Sequence, residues 1–467
     1  MSANKITGRS AFLALLKDEG ITHLFGNPGT TELPIMDALS EHPDLNYLMS
    51  MQESLVVYMA EGYSRASGKL SACNVHVAPG LGNAMGAIYA AKFANTPIII
   101  TAGQQELGHG LTEPLLYDSL VPMAEPLVKW AVEVTRLQDL PRIVRRAAKI
   151  AMTPPMGPVF ISLPGDILNE EDALELGSRT RIQTKVCPTE ETLNALADRM
   201  IEAKNPVILA GHEIATDRAF EEAGNIADVL GCAVYQQTVQ YGAHFPSTHP
   251  CFMGALSRDQ QQVRDVLSPY DLLIVLGADV LRMSVWAPVE PLPDGMPIIQ
   301  IGQRDWEMGK NFPTEMAVRA DIKETMAALT PILEKRGGQN LKSKSTKNKE
   351  VLRSKNWTKT REGLTKQLKE LPKSGTIDPS WMLMTIIDSM PEDTIFVDEG
   401  IISTRSLPAL LPYRDETSLF GMASGGIGWG VPAACGVQAA YPNRQVIAVI
   451  GDAVSYTHLR AHETSRN

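Results

Sequence analysis

At 467 residues, with 44% hydrophobic and 21% charged composition, the chain is too long for one ordinary core, and length alone suggests about three domains. A formal net charge of -10 and a pI near 5.5 exclude a global basic field for collecting phosphates, so a small-molecule substrate is expected rather than nucleic acid. The five cysteines (Cys73, Cys187, Cys232, Cys251, Cys435) are scattered and odd in number, with no CxxC pair and no His/Cys cluster at metal spacing, which points to a reducing cytoplasm. No apolar h-region opens the chain and no stretch approaches the ~18 to 20 apolar residues of a membrane span, so neither secretion nor insertion is expected.

Short apolar runs ending in Gly or Pro recur between helix-like stretches, the alternation of parallel sheets covered by helices. The first block, residues 1–170, has strands expected at His23 to Phe25, Leu45 to Met49, Ala72 to His76, Pro97 to Ala102 and Pro158 to Leu163. Ser54 to Ala66 and Asn83 to Phe93 carry helical periodicity. A linker around Asn169 to Pro188 leads to a central block, 188–333, with strands expected at Pro206 to Ala210, Ala233 to Tyr235, Asp271 to Leu276 and Pro297 to Ile301. Glu334 to Lys359, within a basic segment 334–375, is rich in Lys, Ser, Asn and Gly and reads as a solvated linker. The last block, 376–453, has strands at Thr394 to Val397 and Gln445 to Ile450. The expected fold is therefore α/β: three doubly wound parallel-sheet domains, the third truncated.

After Gly451-Asp452 the text becomes Ala453-Val-Ser-Tyr-Thr-His-Leu-Arg-Ala-His-Glu-Thr-Ser-Arg-Asn467, which continues no α/β pattern. It resembles the translation of a transposon-end sequencing adapter. The expectation is that Gly is the natural residue at Ala453 and that 454–467 is non-native; a genuine short tail is the alternative, and resequencing the source locus decides between them.

Six segments carry a family resemblance: Phe25-Gly-Asn-Pro-Gly-Thr-Thr-Glu-Leu-Pro34, Gln52-Glu53, Asn74-Val-His-Val-Ala-Pro-Gly-Leu-Gly-Asn-Ala-Met-Gly86, His249-Pro-Cys-Phe-Met-Gly254, Gly425-Gly-Ile-Gly-Trp-Gly430 and Val449-Ile-Gly-Asp452. In that order they resemble the thiamine-diphosphate decarboxylases and acetolactate synthases, benzoylformate decarboxylases most closely, from Lys5 to Asp452. The resemblance implies thiamine diphosphate and Mg2+ as cofactors, a 2-oxo acid as substrate, and a homodimer or homotetramer. It assigns Glu53 to the cofactor's pyrimidine nitrogen; alone, Glu53 reads more readily as an acid at a helix N-terminus. It assigns Asp452, after Gly451, to the metal, with a turn carboxylate as the plainer alternative. Gly425 would lend a carbonyl to the cofactor and Ile427 would be the wedge that bends it. Thr30 and His76 match the family's active-site hydroxyl and histidine, for substrate carboxylate and proton relay.

Three departures follow. The family's second metal ligand, an Asn beyond Asp452, has no counterpart, so the chain as it stands is expected to be inactive. Ser284, in Gly277-Ala-Asp-Val-Leu-Arg-Met-Ser284, stands where benzoylformate decarboxylases have a second histidine, and a serine does no acid–base work at neutral pH. His109 is a candidate replacement or a plain loop histidine. Ser403 and Thr404 are shifted from the expected diphosphate-binding hydroxyls. Two other readings stay open: an acetolactate synthase-like carboligase, for which FAD in the central domain is possible but not indicated here, and an inactive fragment.

Overall fold

The computed structural model describes residues 5–372 and 375–454. They form two compact units, residues up to Gln183 together with those from Met422 onward, and Thr184–Gly421. The first unit is built on six parallel strands: β1 (His23–Gly26), β2 (Asn46–Met49), β3 (Ser71–Val75), β4 (Ile98–Gln104), β5 (Ala131–Glu133) and β6 (Val159–Pro164). Their order is β2-β1-β3-β4-β6-β5. Strands β3, β4 and β6 are buried along their whole length, which is why their sequences run apolar without alternation. Five strands lie where the sequence expects them; β5 is three half-buried residues, too few to show a period.

Four helices matter here: α1 (Gly8–Asp18), α2 (Glu53–Ser67), α3 (Val77–Phe93) and α4 (Leu140–Met152). Helices α1 and α4 pack together, with Phe12, Leu16, Leu24, Val144 and Ile161 in one buried cluster. Helix α2 is capped by the Gln52 side chain, which accepts the N–H of Ser54 (2.7 Å), and stops at Gly68, φ 69°. That cap fixes Glu53 in the first turn. Strand order reverses between β1 and β3, and the carboxyl ends on either side of such a reversal leave a crevice. The chain leaves β1 through Asn27 to Glu32 and leaves β3 at His76.

In the second unit, β7 (Pro206–Ala210), β8 (Ala233–Gln236), β9 (Phe252–Ala255), β10 (Leu272–Leu276), β11 (Ile298–Gly302) and β12 (Met316–Arg319) are again all parallel, in the order β9-β8-β7-β10-β11-β12. Helix α7 (Ile322–Arg353) packs against both α5 (Glu190–Glu202) and α6 (Phe220–Leu230). Helix α7 corrects the solvated-linker reading: it runs through most of that segment, broken at Gly338 (φ 52°, ψ −146°), and α8 (Trp357–Lys369) follows. The Lys- and Ser-rich text hides a narrow stripe. Leu341, Ser345 and Leu352 are buried at helical spacing, and Ser345 donates to the Asp228 carbonyl at 2.5 Å. Trp357 is buried, its indole N–H on the Pro408 carbonyl at 2.8 Å.

The parallel pair β13 (Ile395–Glu399) and β14 (Leu419–Gly421) also belongs to this unit. Tyr413 N–H donates to Ser247 Oγ (2.8 Å) and Gly421 N–H to the Tyr241 carbonyl (2.9 Å). The block expected from 376 onward is thus divided by packing, its first part joining the central strands.

From Met422 the chain rejoins the first unit with α9 (Gly430–Ala440) and β15 (Val446–Ile450). Helix α9 packs closely on α2, where a methyl group on Gly62 would meet the Ala433 carbonyl oxygen at 2.2 Å and one on Gly436 the Met59 oxygen at 2.0 Å. Among the described residues no helix is long and apolar enough to cross a membrane. The five cysteines are unpaired. Of the tail read as non-native, only Val454 falls within the described residues.

Candidate active site

Glu53 and His76 approach each other in the first unit. Glu53 opens α2, and His76 is the last residue before α3. A methyl group on Gly80 would stand 3.1 Å from Glu53 Oε1 and 3.4 Å from His76 Cβ, so the two side chains converge on the first turn of α3. Asn83 donates its amide to Glu53 Oε2 at 3.1 Å, and among the described residues Oε1 takes no hydrogen bond. Glu53 is half-buried, and nothing lies within 4 Å of where a Gly82 side chain would be. Val77, immediately after His76, holds φ at 41°, a strained value for a β-branched residue and of a kind that gathers at functional sites.

His76 is anchored from behind. Its Nδ1 lies 2.8 Å from Oε2 of Glu32, a carboxylate with 0% exposure, and 3.2 Å from Thr31 Oγ1. Hydrogen bonding to Glu32 raises the His76 pKa above the ordinary histidine value; burial opposes this, and the charges of Glu32 and Glu53 add to it. Sequence reasoning missed Glu32, Thr31 and Asn83. All three stand inside segments that carry the family resemblance, and that adjacency is the one signal for them.

The other expected site residues fall in several separate segments of the chain. Thr30 is exposed and starts the 3₁₀ turn Thr30–Glu32. His109 is exposed in a loop, its carbonyl accepting the Thr112 hydroxyl (2.8 Å). Gly425, φ 82°, and Ile427, 55% exposed, lie in the first unit's second segment, as do Gly451 and the exposed Asp452. Ser284 belongs to the second unit and is exposed, as is Ser403, whereas Thr404 is buried. Ile401 and Ile402 stand 69% and 74% exposed beside them.

Residues 6–115 match the N-terminal TPP-binding domain of thiamine pyrophosphate enzymes, 193–329 their central domain and 406–466 their C-terminal TPP-binding domain. Benzoylformate decarboxylase of Pseudomonas aeruginosa is 31% identical over 449 residues, 96% of this chain and 81% of that protein. The chain belongs to the thiamine pyrophosphate enzymes. The acetolactate synthase large subunit of Buchnera aphidicola subsp. Schizaphis graminum is 25% identical over 473 residues, 99% of this chain and 80% of that one. Among solved structures, the thiamine diphosphate-dependent 4-hydroxybenzoylformate decarboxylase of Rhodococcus jostii RHA1 superposes with a TM-score of 0.83 at 28% identity, covering 97% of this chain and 82% of that one.

For a thiamine pyrophosphate enzyme, the side of the site at Glu53 suits the cofactor's pyrimidine: an acceptor oxygen without a partner among the described residues, beside a turn of bare glycine backbone. The metal side does not suit a cation to the same degree. Asp452 is exposed, and among the described residues no group of three or more His, Cys, Asp or Glu side chains converges to hold an ion.

Proposed function

We propose that this chain performs the non-oxidative decarboxylation of a 2-oxo acid with thiamine diphosphate, in the manner of a benzoylformate decarboxylase. The observation that carries the reading is the convergence of Glu53 and His76 on Gly80, from two different helix starts. Thiamine diphosphate supplies, when bound, a carbon nucleophile and an electron sink. Glu53 Oε1 would hold the pyrimidine nitrogen, with the Asn83 amide fixing the other oxygen. His76 would move a proton to and from the substrate's carbonyl oxygen through Nε2, because its Nδ1 is committed to Glu32. Thr30 would hydrogen-bond the substrate carboxylate. Gly425 and Ile427 would face the cofactor, and His109 and Ser284 would line the substrate's side. Gly451 would also be cofactor-binding, and Asp452 would take the Mg2+.

The same reading carries a cytoplasmic setting and a homodimer or homotetramer.

The test is product analysis with phenylglyoxylate and with pyruvate. Aldehyde and CO2 from the aromatic acid are expected. Acetolactate from pyruvate as the main product would replace this reading with the carboligase one, for which the acetolactate synthase relatives speak. The Glu53→Gln variant should keep its fold by circular dichroism and lose about 10²- to 10⁴-fold in turnover; turnover near wild type would remove Glu53 from its role.

A further inference from the structure

We propose that Glu32 is the positioning residue of this site: it fixes the proton of His76 on Nδ1 and turns Nε2 toward the substrate. The inference rests on the proposed role of His76.

A carboxylate with 0% exposure is expensive to bury unless donors surround it. Here donors converge on both oxygens. Oε1 accepts the Gly103 N–H at 2.7 Å and the Thr31 hydroxyl at 2.8 Å; Oε2 accepts the Gly29 N–H at 2.8 Å and faces His76 Nδ1 at 2.8 Å. Three of these partners are fixed N–H and O–H donors, so the carboxylate serves as acceptor and the proton between it and the ring belongs to Nδ1. Only the Nδ1–H tautomer or the cation fits.

The neighbouring backbone is shaped around this pair. A methyl group on Gly29 would fall 2.2 Å from His76 Nδ1, and one on Gly103 would fall 2.2 Å from Glu32 Oε1 and 2.4 Å from Thr31 Oγ1. Both glycines therefore do two things at once: each donates an N–H to Glu32, and each leaves room for a side chain of the network, Gly29 for the His76 ring and Gly103 for Glu32 and Thr31. Glu32 follows β1, His76 follows β3 and Gly103 lies in β4, so the network ties three adjacent strand ends at the reversal in strand order. The titratable groups acting on the ring are Glu32 and Glu53, both acidic; Tyr47, beside Glu32, lies farther back with its own pKa raised by burial.

A histidine whose folded pKa is raised by a carboxylate contributes stability that is full below the unfolded value of 6.5 and fades as pH climbs through the higher folded value.

The experiment is a titration of the histidine ring signals of the full chain, without cofactor, with His76 assigned by the His76→Asn variant. Wild-type His76 should titrate above 6.5, and in Glu32→Gln it should fall by about one unit or more. Glu32→Asp, with the charge drawn back from the ring, should lie between them. A wild-type His76 that titrates below 6.5 overturns the proposal without any variant, and so does an unchanged His76 in a folded Glu32→Gln. The kinetic arm follows kcat/KM for phenylglyoxylate against pH: the limb set by His76 should move to lower pH in Glu32→Gln and return part-way in Glu32→Asp. An unmoved limb would deny Glu32 its positioning role. If the ring signals move as expected but His76→Asn keeps wild-type turnover, the functional reading of His76 fails while the Glu32 linkage stands.

Discussion

Buried and half-buried carboxylates in this protein are treated in two opposite ways, and the difference is testable at single positions. Glu32 is surrounded by donors. Glu213, also buried, is met by the Gln303 N–H at 2.7 Å and by Arg304 at 3.3 Å, while Arg304 pairs with Asp279 at 2.6 Å. Asp217, one helical turn beyond Glu213, is less well served. It accepts the Ile322 N–H at 2.9 Å and the Gln303 amide at 3.2 Å, but burial, Asp321 and Glu213 push its pKa up to about 7. The folded state therefore favours the protonated acid, whose contribution is full below the unfolded value of 3.8 and lost as pH rises through about 7. Asp217→Asn keeps the acceptor for Ile322 and removes the like charge. Urea unfolding at pH 8 should show the variant more stable by about 1–3 kcal/mol, with the difference gone near pH 3; a variant less stable at pH 8 would mean that the ionised form is the one the fold needs. Single residues also mark where sequence stops being informative. Glu53 and His76 are legible because each stands in a contiguous motif. Glu32 reads as one more acid near a turn, since its decisive partners are 44 and 71 positions away and become neighbours when three strand ends meet.

Secondary-structure elements were legible in proportion to how much apolar surface they bury. Fully buried strands such as β4 and β10 are visible as continuous runs, whereas β5, β9, β12 and β14 are three or four residues long and carry no period of their own. Helix α7 was missed for another reason: a stripe of Leu341, Ser345 and Leu352 is thin against a background of lysines, and one of its buried members is a serine chosen for close approach to Gly231. The α2–α9 contact is the same device carried further. Gly62 and Gly436 let two backbones come near enough that a side chain at either place would strike a carbonyl oxygen. Trp429, before α9, donates its indole N–H to buried Glu61 at 2.9 Å, and Arg65 lies over its ring at 5.3 Å, so one apolar side chain also serves as a polar latch. Gly436→Ala should cost about 1–3 kcal/mol, because the Met59 oxygen is backbone and cannot swing aside. Guanidinium unfolding monitored on tryptophan emission measures it. Unchanged stability would show that α9 can shift along α2 at no cost.

At the scale of the whole chain, two segments far apart in sequence match the TPP-binding domains, 6–115 and 406–466, with the central match between them. A ligand that binds the folded chain and not the unfolded one must stabilise it by mass action, by about 2.7 kcal/mol at a hundred times its Kd. Thiamine diphosphate with Mg2+ should therefore raise the melting temperature. Two variants divide that gain between its parts. Glu53→Gln should keep most of it, since an amide oxygen still accepts while the change acts on turnover. Asp452→Ala should make the gain insensitive to Mg2+ if that exposed carboxylate takes the cation, because its charge would then be the term linking metal to diphosphate. A melting temperature that still climbs with Mg2+ in Asp452→Ala would move the metal to other ligands. A gain that disappears in Glu53→Gln would mean that the carboxylate holds the cofactor as well as activating it, so that binding and turnover are lost together.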